Sequence, residues 1–143
     1  MDDNTTLPYD YLVIASGAKQ PAPAHLIATE KEDAISELKQ LQDKIRDASK
    51  IAIIGGGAVG VELATDIKTF CKEKEVTLIH SRKVLLNRFS KKLGELVFQK
   101  MTEIGIQILL ETRFDSNVPI QESSFDLVVN IRTQVLSQNQ EEK

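Results

Sequence analysis

Ile51-Ala52-Ile53-Ile54 runs straight into Gly55-Gly56-Gly57-Ala58-Val59-Gly60, and no other feature limits the fold so tightly. Four apolar residues in a row suit a strand covered on both faces, as in a parallel sheet. The glycines follow the spacing G-x-G-x-x-G. Alone, that pattern is weakly specific. Its setting sharpens it: a buried strand precedes it, a helical period follows over 58–71, and a second strand arrives at Val76–Ile79. In that setting Gly55 permits a tight turn, Gly57 lets a pyrophosphate approach the backbone, and Gly60 lets the helix pack closely. The helix start offers unpaired N–H groups and a positive dipole end to phosphate. The competing reading is a glycine-rich turn that holds no ligand.

The rest of the chain extends this unit. The helix over 58–71 carries Val59, Leu63, Ile67, Phe70 and Cys71 on its apolar side. Ser90 suits the N-cap of a helix with Leu93, Leu96, Val97, Met101 and Ile104, and Gly105 suits its left-handed end. Ile106–Leu110 and Phe125–Ile131 read as third and fourth strands. Strands alternating with helices predict an α/β fold: a Rossmann-like three-layer domain with a mainly parallel sheet and right-handed crossovers. Upstream, Tyr9–Ser16 reads as a buried strand closed by Gly17, and the prolines at 21 and 23 as a stiff connector. Thr29 and Glu32 fit a capping box, opening a helix striped with Ala34, Ile35, Leu38, Leu41, Ile45 and Ala48. The expected division is a lead-in strand and connector over 1–24, a nucleotide-binding domain over 25–132 and a frayed polar tail over 133–143.

Composition removes several alternatives. A length of 143 residues, 41% hydrophobic and 27% charged, suits one globular domain. A net charge of −3 shows no basic excess for nucleic acid or anionic lipid. One cysteine and two histidines give no internal disulfide and no zinc or iron set. Apolar runs are too short to span a bilayer, and the acidic start has no signal-peptide pattern. A cytoplasmic protein is expected, with mitochondrial association left open. No Ser-His-Asp order, no G-K-[ST] and no Tyr-x-x-x-Lys pair follows the motif.

Selectivity rests on the residues closing the second strand. An Asp or Glu there accepts the ribose 2′-OH in NAD-selective sites. This chain has His80, Ser81, Arg82 and Lys83 instead. No carboxylate repels a 2′-phosphate, and Arg82 can pair with one. NADPH is therefore expected to be accepted alongside NADH. The plain alternative for Arg82 and Lys83 is a solvated turn. Glu62, just past Gly60, either complements the helix dipole or faces the nicotinamide end of a bound dinucleotide.

The segments YDYLVIASGA (9–18), IAIIGGGAVGVELA (51–64), VTLIHSR (76–82) and GELVFQKMTEIGIQILL (94–110) resemble the pyridine nucleotide-disulfide oxidoreductase-like flavoproteins with two dinucleotide sites. The likeness is to their apoptosis-inducing-factor-like and ferroptosis-suppressor-like branch. It implies an NAD(P)H-binding domain that passes hydride to a bound FAD, with quinone-like acceptors. By position, Gly55, Gly57, Ala58, Val59 and Gly60 would line the pyrophosphate. Glu62 would lie near the nicotinamide, and His80, Ser81 and Arg82 at the adenosine ribose. Ser16-Gly17 would match a strand end near FAD. The family's first G-x-G-x-x-G, for FAD, has no counterpart in this chain, and Asn130-Ile131-Arg132 replaces a glycine turn. The expectation is therefore the middle of a flavoenzyme, inactive alone, completed by flavin-domain segments. The alternative is a non-catalytic nucleotide-binding module.

Overall fold

The computed structural model describes residues 6, 8–13, 15, 26–114 and 124–131. In chain order these form α1 (Lys31–Asp47), β1 (Lys50–Ile54), α2 (Ala58–Phe70), β2 (Glu75–Ile79), α3 (Lys91–Glu103), β3 (Gln107–Leu109) and β4 (Leu127–Asn130). The strands lie in the order β3-β2-β1-β4, and every pairing is parallel. This is a Rossmann-like α/β fold. Ile51 stands opposite Val76 on one side and Leu127 on the other, so β1 is an interior strand. That position explains the unbroken apolar run: Ile51–Ile54 are no more than 3% exposed.

The pleat divides the core. Ile51, Ile53, Val76 and Leu78 join Ala64 and Ile67 of α2 and Met101 of α3 in one cluster. Ala52, Ile54 and Ile79 face the other way, against Leu109, Phe114, Phe125 and Val128. Each fully buried side chain of this size stabilises the fold by about 1.5–3 kcal/mol. At the pole below the sheet, the buried Lys74 Nζ donates to the Arg46 and Ala48 carbonyls at 2.8 and 2.6 Å. It thereby closes the C-terminal end of α1 against the start of β2.

Several expectations hold and several do not. The Ser90 hydroxyl accepts from the Leu93 N–H, and Gly105 has φ 82, so α3 begins and ends where its capping residues indicate. No capping box forms at α1: its N-cap is Glu30, with no side-chain bond. The Glu37 carboxylate reaches back instead and accepts from the Ile27 and Ala28 N–H groups. The α1 stripe is shallow, with no residue of the helix buried. On α2 the sheet-facing residues are Gly60, Ala64 and Ile67 rather than a line through Val59 and Phe70. Close packing favours the small residues, and Phe70 is 84% exposed at the end of the helix. The α3 stripe narrows likewise, with Gly94 and Met101 buried while Leu96 and Ile104 stay exposed. The buried strand expected over Tyr9–Ser16 is not found among the described residues 8–13 and 15. An apolar run needs a neighbouring strand to satisfy its backbone, and among the described residues this one pairs with none. The connector over 19–24 and the tail over 133–143 lie outside the described residues.

Candidate nucleotide site

Ile54 and Ile79 end adjacent parallel strands, and the chain leaves the sheet at both in loops on the same side. Between those loops lies a cleft of about 560 Å³. It lies beyond the carboxyl ends of the strands and extends to Ile131 after β4, the side of β1 where the chain order reverses, which is where open α/β sheets bind ligands. Gly55 opens the first loop at φ 124, a backbone angle that a side chain would strain, and its N–H donates to the Ile79 carbonyl at 2.9 Å. At Gly60, a Cβ would stand only 1.8 Å from the Gly55 carbonyl oxygen. The first turn of α2 therefore presses directly on the turn before it, which no residue but glycine permits.

In front of the helix the space is open. A Cβ on Gly57 would meet nothing within 4 Å. Gly57 is the N-cap of α2 and has no side chain to cap it, so the helix start, beside the cleft at Gly57 and Ala58, carries no side-chain cap. The cleft's far wall comes from two more loops: Asn87, Arg88 and Phe89 before α3, and Thr112, Arg113 and Phe114 after β3. Two arginines and two phenylalanines thus stand across from a helix N-terminus, a set suited to phosphate and to a flat base.

His80 closes the floor. Its Nδ1 accepts the Gly56 N–H at 3.1 Å, and its Nε2 is buried without a partner. Burial holds its pKa below the usual histidine value. The Val84 carbonyl pulls the other way without reaching hydrogen-bond geometry, and Arg82 lowers the pKa further.

Comparison with known proteins fits this geometry. The family described as pyridine nucleotide-disulphide oxidoreductase matches residues 1–137. The chain belongs to that family. Among relatives, "Fe-regulated protein 8" of Mycosarcoma maydis is 37% identical over 133 residues, which is 85% of this chain and 33% of the relative. "Ferroptosis suppressor protein 1" of Mus musculus is 33% identical over 132 residues, 89% of this chain and 35% of the relative. The chain therefore spans about a third of the length of these relatives. The water-forming NADH oxidase of Lactobacillus brevis, solved bound to NADH, shares the fold at TM-score 0.53 and 20% identity, over 71% of this chain and 24% of the oxidase.

Within this family member, the structure brings together part of the expected site. Gly55, Gly57, Ala58, His80 and Ser81 line the cleft. Val59, Gly60, Glu62 and Arg82 are not on its walls. Gly60 acts from behind, through its close approach to Gly55. Glu62 is exposed and lies beyond the first turn of α2, which holds no acid, so the dipole reading of Glu62 is corrected. Arg88, Phe89, Thr112 and Arg113 were not foreseen. Their loops leave neighbouring strand ends, so topology could have pointed to the segments, although no residue pattern marks them. Among the described residues, no group of acidic, histidine or cysteine side chains could hold a metal ion, and no helix is long and apolar enough to cross a membrane.

Proposed function

We propose that this chain is the NAD(P)H-binding part of an FAD-dependent NAD(P)H:acceptor oxidoreductase, with a quinone-like acceptor in the longer protein. The observation that carries the reading is the cleft itself: Gly57 leaves open space at an uncapped helix start, beside a turn that only glycines can form. Those features fit a pyrophosphate. Gly55, Gly57 and Ala58 would bring their backbone to it, with Val59 and Gly60 continuing the first turn. The bound nicotinamide supplies the hydride, and the chain's own contribution is to hold and orient the dinucleotide. The sequence contains one G-x-G-x-x-G, so flavin is assigned to other segments of a longer protein and no contact to it is derived.

The end of β2 favours acceptance of NADPH. His80 and Ser81 stand where an NAD-selective site has a carboxylate. Arg88 and Arg113 on the cleft wall are better placed than Arg82 to meet a 2′-phosphate. Fluorescence titration of the chain with NADPH and NADH tests both points. Saturable binding of both is expected. Arg113→Glu should weaken NADPH about tenfold more than NADH, about 1.4 kcal/mol of selectivity. Arg82→Glu should change the ratio less. Equal losses for the two cofactors would remove the phosphate role, and absence of saturable binding would remove the dinucleotide reading.

A further inference from the structure

The middle of the glycine loop is gripped by the segment that follows β2. Gly56 donates its N–H to His80 Nδ1 at 3.1 Å, and its carbonyl accepts from the Leu86 N–H at 2.9 Å. The contact is also steric. A Cβ on Gly56 would fall 2.8 Å from His80 Cγ and 2.6 Å from Leu85 Cδ2. The loop that presents backbone to the cleft thus rests on the imidazole ring.

This arrangement dictates the protonation state. With Nδ1 accepting, the one proton of the neutral ring sits on Nε2. That nitrogen is buried and has no partner. A second proton would have to enter at Nδ1, where it would meet the Gly56 N–H, donor against donor. The charged groups on the elements around the ring are Arg82 and Lys83 in its own loop, Arg88 before α3, and Glu111 and Arg113 after β3. Lys83 and Glu111 approach each other at 4.0 Å, which leaves the three arginines without an ion-pair partner among the described residues. The glycine loop and the first turn of α2 bring no ionisable side chain.

We propose that His80 is a positioning residue: its neutral ring holds Gly56 and so sets the glycine loop for a pyrophosphate, without itself touching the ligand. The proposal rests on the dinucleotide reading above and adds a proton-linked control to it. Affinity is level while His80 is neutral. It falls as acid protonates the ring below its usual range near pH 6.5 and releases Gly56.

Calorimetric titration with ADP-ribose, on the 143-residue chain from about pH 5.5 to about pH 8, tests this, because ADP-ribose lacks a titrating 2′-phosphate. Wild type should lose affinity severalfold at the acid end. His80→Phe, which keeps a ring but no acceptor, should bind about 3- to 10-fold more weakly at neutral pH and show no acid loss. His80→Asn, whose Oδ1 replaces the Nδ1 acceptor and does not titrate, should restore neutral-pH affinity and hold it on acidification. Wild-type behaviour in His80→Phe overturns the positioning role alone. An acid loss that persists in His80→Asn does the same and decides the matter if the Phe variant fails to fold. No ADP-ribose binding at any pH removes the dinucleotide reading and this role together.

Discussion

Two runs of similar chemistry meet opposite fates in this chain. Tyr9, Tyr11, Leu12 and Val13 are 62–94% exposed, whereas Ile51–Ile54 are no more than 3% exposed. Both runs lead to a glycine, Gly17 and Gly55. The second lies between β2 and β4, with partners along both edges and α2 folding back over it. Among the described residues, the first pairs with no strand. Apolar character gives a segment the capacity to be a strand, and a neighbour that satisfies its N–H and C=O groups makes it one.

The contrast predicts very different sensitivities. Ile53→Ala should cost about 2–5 kcal/mol, because the site is fully enclosed and cannot collapse. Val13→Ala, exposed and unpaired, should change stability by less than about 0.5 kcal/mol. Urea unfolding of both variants measures the difference. Similar losses would mean that the first run has a packing partner in solution and would break the contrast.

Gly60 sharpens it at the strand's end. Gly60→Ala places a methyl group where the Gly55 carbonyl already stands. The chain must shift either the turn or the helix, at about 1–3 kcal/mol. Because the displaced atoms are those of the glycine loop, NADPH affinity should fall more than the lost stability alone would cause. A thermal melt and a fluorescence titration on the same variant separate the two effects. A destabilised variant that binds normally would show that loop placement is not critical to the site.

The sequence revealed the central unit because local and tertiary demands coincide there. The run 51–54 is apolar on every residue since both faces are covered, and the glycines follow from backbone constraints that side chains cannot meet. Elsewhere the signals separate. Thr29 and Glu32 match a capping box by spacing, yet the Glu37 carboxylate takes the backbone N–H groups of residues 27 and 28. Phe70 has the right helical period for the core but is the last residue of α2 and is exposed. The far wall of the cleft is assembled from two loops separated in sequence by all of α3 and β3, so Arg88 and Arg113 come to line one cleft only in three dimensions. The same applies to His80. Its place at the end of β2 suggested a ribose contact, whereas its Nδ1 is already engaged by Gly56.

The smallest expected effect concerns what pins the buried run at its start. The Asp126 carboxylate, just before β4, accepts from the Lys50 and Ser49 N–H groups at 2.8 and 2.9 Å. It joins the first residues of the central strand to the approach of its neighbour, a tie that no described residue provides for the 9–13 run. These two backbone bonds, Lys50 first, hold the Asp126 pKa below its usual value of 3.8. The folded state therefore binds a proton there less readily than the unfolded chain does. Its contribution to stability is complete above about pH 4 and disappears as acid carries the group through its folded-state pKa. Asp126→Asn keeps an acceptor near both N–H groups but cannot titrate. Its urea midpoint should be slightly lower than wild type at neutral pH, and the gap should close as the pH falls below about 4. Parallel curves across the acid range would show that the tie contributes nothing to the strand whose start it holds, leaving β2, β4 and the helices alone to distinguish the buried run from the exposed one.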